Sequence, residues 1–139
     1  MTTQSMPAVS RGRTLALVAL AAVASAVATS LVALATLALG ADPTFAPLQP
    51  PAFLTFAIAG TLAALAGWVL VVRFVPRSAR LLRVLVPVLL AVSLIPDVAL
   101  LLTGFIPGAT VPGVIGLMLM HPIVAAVGTV TGRMIAAPR

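Results

Sequence analysis

Four long apolar stretches, joined by short connections, constrain this chain more than any other feature. They cover roughly residues 14–39, 52–72, 81–102 and 111–135, and each is long enough to cross a hydrocarbon core of about 30 Å as a helix. In lipid every backbone polar group needs an internal partner, which a helix supplies by itself. The sequence therefore predicts an all-α fold, an antiparallel four-helix membrane bundle that forms one domain over residues 1–139.

Every basic residue lies at an edge of these stretches, on alternate sides of successive stretches. The eight basic residues are Arg11, Arg13, Arg73, Arg77, Arg80, Arg83, Arg133 and Arg139. Because cytoplasmic connections carry an excess of basic side chains, the pattern predicts an even number of spans with the N and C termini in the cytoplasm. The use of arginine without lysine is typical of GC-rich bacterial genomes, so we expect a multi-pass protein of the bacterial cytoplasmic (inner) membrane.

Composition excludes several classes of protein. Hydrophobic residues make up 62% of the chain and charged residues 7%, with a mean hydropathy of +1.26, which excludes a soluble domain. The net charge of +6 does not indicate nucleic-acid binding, because the arginines flank apolar stretches. With no cysteine and one histidine, we expect neither a metal site nor a cofactor. The expected partners are the lipid bilayer and a second copy or another membrane protein.

The two connections without basic residues are predicted to lie on the outer side. Residues 40–51 contain four prolines, which favour extended or polyproline II backbone. We expect a stiff linker in which Asp42 is solvated or caps a turn, and the alternative is a lid over an outward-facing cavity. Residues 103–110 include Gly104 and Gly108, which predict a tight turn that makes a hairpin of spans three and four.

Small residues at helical spacing predict where helices pack closely. The clearest are Gly60 and Gly67 in the second stretch, and the G-x-x-x-G pair Gly128 and Gly132 in the fourth. Because helix association in lipid depends on close backbone approach, these glycines mark helix–helix faces, within the bundle or between protomers. Trp68, near the cytoplasmic end of the second stretch, is interpreted as a residue of the interfacial aromatic belt.

Asp97 and His121 are the ionisable residues well inside apolar stretches. Counting about 1.5 Å per residue from the predicted turn places them some 10 Å and 15 Å deep, within about one helical turn of each other. Ser93 precedes Asp97 by four residues, so both lie on one helical face and are expected to share a hydrogen bond. A carboxylate at this depth costs at least ~2.5 kcal/mol, so it needs a proton, a partner or water.

Prolines accompany both ionisable residues. Pro96 and Pro122 cannot donate to the carbonyls of Val92 and Met118, so each helix is expected to kink and to expose a backbone acceptor. Together with the three polar side chains, the prolines predict a buried polar cluster between the third and fourth spans.

Two functions are compatible with this cluster. In the first, Asp97 and His121 bond to each other and to the freed carbonyls, in a non-enzymatic bundle module that packs with itself or with a membrane partner. In the alternative, they relay a proton or bind a ligand in a small oligomeric transporter or ligand-binding protein. We do not expect an enzyme, because catalytic groups are few and Asp97 competes for Ser93 as readily as it orients His121.

The Ser-x-x-Pro-Asp element from Ser93 to Asp97 and the Met-His-Pro element around His121 resemble those of a family of small actinobacterial four-span proteins, domain of unknown function 6069. The resemblance extends from about Arg13 to Arg133. It implies a four-span fold in a bacterial inner membrane, and it implies no activity. Small multidrug-resistance transporters also have four short spans, but they depend on a glutamate in the first span, and this chain has no glutamate.

Overall fold

The computed structural model describes residues 10–139, and within them every regular element is helical. In chain order the elements are α1 (Arg11–Ala38), a 3₁₀ turn (Ala46–Leu48), α2 (Pro50–Phe74), α3 (Ser78–Ser93), α4 (Ile95–Thr103) and α5 (Val111–Ile135). Four segments are long and apolar enough to cross a membrane, because α3 and α4 together form the third span, Ser78–Thr103. The predicted all-α four-helix bundle is therefore confirmed.

The boundaries of the first three spans differ from those predicted. The helix α1 begins earlier because the Ser10 hydroxyl caps it, accepting a hydrogen bond from the amide of its third residue at 3.3 Å. The helix α2 begins at Pro50, since proline is well tolerated in a first turn. The third span begins at Ser78 and is interrupted at Leu94. The first nine residues of the predicted domain lie outside the described part of the chain.

The helix α5 is the central element of the bundle. It packs along α1 and α2, which also pack on each other, so these three helices form a compact core. The third span lies at the edge of this core, where α3 and α4 contact α5 and α3 also contacts α2. In its most apolar part, 11% of the third span is buried, against 28% for α2 and for α5.

Hydroxyl groups join α1 to α2 inside the core. The buried side of α1 carries Ser25 and Thr29 four residues apart, and that of α2 carries Ala57 and Thr61 at the same spacing. The hydroxyl oxygens of Ser25 and Thr61 are 2.7 Å apart, and both residues are fully buried. The Thr61 hydroxyl also lies 2.8 Å from the Ala57 carbonyl oxygen, and the Thr29 hydroxyl donates to the Ser25 carbonyl at 2.8 Å. These polar groups are therefore satisfied without water.

Three of the four glycines predicted to pack helices do so within this chain. A β-carbon added at Gly128 would lie 2.8 Å from the β-carbon of Ala64, and one at Gly60 would lie 3.4 Å from Val124. A β-carbon added at Gly132 would lie 2.6 Å from the Trp68 indole. These close approaches bring α2 and α5 together. Gly67 differs, because an added β-carbon there would meet no atom within 4 Å.

Gly116 makes a close approach that the sequence analysis did not single out. A β-carbon added there would overlap the side chain of Thr36, so this glycine brings α5 against α1. Gly113 precedes it by three residues and is also buried, whereas the residues three and four positions after it, Leu119 and Met120, are large.

The interpretation of Trp68 as a residue of the aromatic belt is wrong. Its side chain is 5% exposed and packs against Gly132, and its indole N–H donates to the carbonyl oxygen of Ala136 at 2.9 Å. The indole occupies the space that Gly132 leaves free, and the residues after α5 provide its hydrogen-bond acceptor. Trp68 therefore belongs to the interface between α2 and α5.

Residues 39–49 form a packed loop rather than the predicted extended linker. Phe45 is fully buried beside Gly108 and Gly113, so this loop closes one end of the bundle. Asp42 caps a turn, as expected, because its Oδ1 accepts hydrogen bonds from the hydroxyl and the amide of Thr44, both at 2.7 Å. The hydrogen bond from the Thr44 hydroxyl, followed by that from its amide, lowers the pKa of Asp42 below its ordinary value.

We predict that Gly132→Ala lowers the free energy of unfolding by about 1–3 kcal/mol, the usual cost of overpacking. The new methyl group meets the Trp68 ring, which cannot move aside without losing its bond to Ala136. Steric trapping in lipid bicelles measures this free energy. Gly67→Ala is the matched control and should leave stability unchanged or raise it by up to about 1 kcal/mol. Equal effects of the two substitutions would contradict this packing.

Candidate functional site

A break in the third span places Asp97 in a helix N-terminal turn. The helix α3 ends at Ser93 and α4 begins at Ile95, with Pro96 in the first turn, where its missing N–H costs nothing. Asp97 follows directly and is 8% exposed. A carboxylate is favoured near the positive end of a helix dipole, so the break gives Asp97 a more favourable position than a continuous helix would.

His121 reaches Asp97 from the middle of α5. Its Nδ1 lies 3.3 Å from Asp97 Oδ2 and 3.0 Å from the carbonyl oxygen of Leu117, one turn earlier on the same helix. The structure therefore brings together two of the three polar side chains singled out in the sequence. The pair bridges the third span and α5, two elements that otherwise share few contacts.

The contacts of His121 define its tautomer. A carbonyl oxygen only accepts hydrogen bonds, so Nδ1 at 3.0 Å from Leu117 O must carry a hydrogen. In the neutral ring the other nitrogen, Nε2, is then a hydrogen-bond acceptor. The His121 side chain is 33% exposed and that of Asp97 11%, so the histidine is the more accessible member of the pair.

Asp97 Oδ2 is buried, and its polar neighbour is the ring of His121. Within residues 10–139 it has no hydrogen-bond partner of good geometry, and it lies 3.3 Å from His121 Nδ1, a contact that is ionic only when the imidazole is protonated. A carboxylate in a membrane-spanning segment is costly unless it is paired.

Ser93 does not join the pair, and the expected hydrogen bond between Ser93 and Asp97 is absent. The Ser93 hydroxyl donates to the carbonyl oxygen of Leu90 at 2.7 Å instead. Its single hydrogen is therefore already donated to the backbone and is not available to the Asp97 carboxylate. A Ser93–His121–Asp97 triad is not assembled.

Pro96 and Pro122 differ in whether the helix is interrupted beside them. Pro96 lies just after the interruption of the third span, whereas α5 continues as one helix through Pro122. The ring of His121 contacts the carbonyl of Leu117 rather than the carbonyl of Met118 that Pro122 leaves free. Pro87, inside α3, is a second helix-interior proline beside Pro122.

No cluster in the described part of the chain has the composition of a metal centre. Among residues 10–139, no three His, Cys, Asp or Glu side chains lie close enough together to hold a metal ion. A carboxyl group and an imidazole can hydrogen-bond to each other or to a polar ligand.

The fold and this pair define a class: a multi-pass helical membrane protein with an acid–histidine pair between two of its spans. The chain belongs to the DUF6069 family, a family of unknown function, which matches residues 9–137. Neither the curated proteins nor the solved structures contain a significant match. The family assignment confirms the resemblance drawn from the motifs around Asp97 and His121, and it brings no activity with it.

We predict that neutral His121 carries its proton on Nδ1 in lipid bilayers, because that nitrogen faces the Leu117 carbonyl. Solid-state ¹⁵N NMR distinguishes the tautomers, and assignment is direct because His121 is the only histidine of the chain. The Asp97→Asn variant should keep the same tautomer, since the Leu117 carbonyl remains. A spectrum dominated by Nε2–H would show that the contact with Leu117 is not formed.

Proposed function

We propose that this protein is a non-enzymatic helical-bundle module of a bacterial cytoplasmic membrane, in which the Asp97–His121 pair clamps the third span to α5. The observation that carries this proposal is the 3.3 Å approach of His121 Nδ1 to Asp97 Oδ2 across that interface. The polar atoms face each other, and Nδ1 also bonds to its own helix. This arrangement suits a contact that holds two helices together.

The physical need for a clamp comes from the weak packing of the third span. Lipid tails are as apolar as leucine side chains, so the hydrophobic effect does not hold one span against another inside a bilayer. Close packing by small residues joins α5 to α1 and α2, but the third span has little buried surface. A polar contact supplies the missing attraction.

The distribution of arginines supports the orientation of the module. Arg11 begins α1, Arg73 lies in the last turn of α2, Arg80 lies in the first turn of α3, and Arg133 lies in the last turn of α5. These residues all belong to one end of the bundle, hereafter the arginine end. Positive charge favours the cytoplasmic side, so this end and both termini are assigned to the cytoplasm.

A small-residue stripe on α2 is the surface we assign to packing with a second copy or a membrane partner. Ala59, Ala63 and Gly67 follow one another at intervals of four residues, and all three are exposed. Gly67 differs from the other predicted packing glycines because it approaches nothing within this chain. Small exposed residues at this spacing permit the close backbone contact on which helix association in lipid depends.

A proton-linked transporter or ligand-binding protein is the second candidate function. It is favoured by the exposure of a third of the His121 side chain beside a carboxylate oxygen without a good hydrogen bond. This function requires the pair to be reached by water. Two cavities, at the arginine end and on the outer face of the third span, are lined by neither Asp97 nor His121.

The clamp predicts opposite behaviour for two substitutions of Asp97. Asp97→Asn keeps a polar side chain against His121 and should preserve the packing of the third span, whereas Asp97→Leu removes this polar contact and should loosen the packing. We expect Asp97→Leu to cost about 1–2 kcal/mol, the upper range for interhelical polar contacts in membranes. Spin labels on Leu102→Cys and Leu119→Cys report the distance between α4 and α5, and the chain has no cysteine to interfere.

Double electron–electron resonance should give a narrow distance distribution when the Asp97–His121 pair is intact and in Asp97→Asn. It should give a broad distribution in Asp97→Leu. Asp42→Asn, a change of the other acidic residue, is the control and should alter nothing. Proton flux into proteoliposomes is measured on the same samples and should match that of empty vesicles. A flux that Asp97→Asn abolishes would reject the clamp in favour of proton-linked transport.

The α2 stripe is tested separately, by counting subunits in liposomes through single-molecule photobleaching. Gly67→Leu fills the stripe and should shift the population at least about threefold toward monomers, with loss of roughly 0.7 kcal/mol of association energy or more. Ala24→Leu, a similar enlargement at an exposed position of α1, should have no effect. If both variants associate like the original protein, α2 is not the packing surface.

A further inference from the structure

A cavity lies at the arginine end, where α3 begins. Its volume is about 330 Å³, at the lower end of the range for small-molecule sites. The residues that line it are Pro76, Arg77, Ala79, Arg80, Arg83 and Arg139. Four of the six carry guanidinium groups, so the lining is strongly positive.

No acidic side chain offsets this charge. The chain has two acidic residues, and Asp42 lies in the loop that closes the opposite end of the bundle. Asp97 follows Arg83 by fourteen residues, about 21 Å along the helices. Within residues 10–139 no arginine forms an ion pair. Four like charges around one cavity repel one another, and an anion between them relieves that repulsion.

The fourth arginine is held at the cavity by its backbone. The Arg139 amide donates to the Ser78 hydroxyl at 2.8 Å, and the Ala79 amide donates to the main-chain oxygen of Arg139 at 2.8 Å. Ser78 is fully buried by this contact. The amide of Ala79 is therefore already occupied, and the charged donors of the cavity lining are the four guanidinium groups.

We propose that this cavity binds the phosphate group of an anionic glycerophospholipid. Guanidinium groups match phosphate oxygens in charge and in bidentate geometry. Arg83 lies five residues into α3, about 7.5 Å along its axis, from where a long side chain extends to the head-group level. The site therefore lies at the depth at which a membrane supplies phosphate.

An apolar groove on the same side of the third span accommodates the lipid tail. From Arg80 onward, exposed or half-exposed residues follow at intervals of three or four, and they are Val84, Val88, Ala91, Ile95, Val98 and Leu102. A second cavity of about 290 Å³ lies along the last four of these, bordered also by Leu94 and Ala99. A free phosphate ion would occupy the arginine cavity and leave the groove empty, whereas a lipid would occupy the cavity with its phosphate and the groove with its acyl chain.

A second copy of the chain is a less suitable occupant of this groove. Two copies with the same orientation in the membrane would bring their arginine cavities to the same end of the shared face. Four guanidinium groups on each side would then repel across the contact. A lipid fills the same groove and neutralises the charge.

The test compares lipid retention by full-length variants purified into nanodiscs or mild detergent, with native mass spectrometry as the readout. Phosphatidylglycerol is the probe and phosphatidylcholine is the zwitterionic reference. We expect Arg77→Gln, Arg80→Gln and Arg83→Gln together to reduce bound phosphatidylglycerol at least about tenfold, the effect of losing one or more charged hydrogen bonds. Arg80→Gln alone should show a smaller loss of bound phosphatidylglycerol. This single variant replaces the triple variant as the test if the triple variant does not fold.

The matched control removes the same charge from the same end of the bundle. The control combines Arg11→Gln, Arg13→Gln and Arg133→Gln, three positions outside the cavity lining. This variant should retain phosphatidylglycerol to within about twofold of the unsubstituted protein. Equal loss in both triple variants would mean a general effect of charge and would overturn the proposal. Retention in the cavity variant would overturn it as well.

Further experiments distinguish a lipid phosphate from a free phosphate ion, and a lipid in the groove from a second copy of the chain. Ala91→Phe fills the groove and should lower lipid retention, while millimolar inorganic phosphate should not displace the lipid from the unsubstituted protein. Displacement by inorganic phosphate would indicate a free-anion site. Cross-linking between copies through Val98→Cys in lipid, with no bound phosphatidylglycerol, would assign this face to a second copy instead.

Discussion

The close approach of α5 to α1 and α2 is the interaction on which the rest of the structure depends. Inside a bilayer helices gain nothing from burying apolar side chains, so they associate where small residues let backbones come together. Gly116 makes room for Thr36 of α1, and Gly128 and Gly132 make room for Ala64 and Trp68 of α2. These contacts place α5 at the centre, and every other element is arranged around it.

The third span is attached by different means because the glycine-rich faces of α5 are already occupied. It has few buried side chains, and its polar contacts with the rest of the bundle include the Asp97–His121 pair and the hydrogen bonds of Ser78 and Ala79 with Arg139. The interruption at Leu94 moves Asp97 into the first turn of α4, where the helix dipole favours a carboxylate. The third span also carries the arginine cavity and the apolar groove, so it joins the core on one side and faces lipid on the other.

The sequence was a good guide to the spans and to the pairing of Asp97 with His121. Both follow from counting, since helix rise and a tight turn place the two residues at similar depth. It was a poor guide to Ser93, because a serine hydroxyl in a helix can donate to a backbone carbonyl of the preceding turn instead of to a side chain, and here it donates to Leu90. It was also a poor guide to Trp68, since the position of a residue near a membrane boundary does not reveal whether its side chain faces lipid or a glycine on another helix.

The sequence by itself determined the number of spans, their helical nature and the alternation of arginines, because hydropathy and backbone hydrogen bonding act within each segment. Only the tertiary structure decided that α5 is central, that Gly67 stays free while Gly132 is covered, and that Phe45 plugs the end of the bundle. The same holds for the gathering of four arginines around one cavity. These features depend on which helix faces meet, and that choice rests on side-chain fit between segments far apart in the chain.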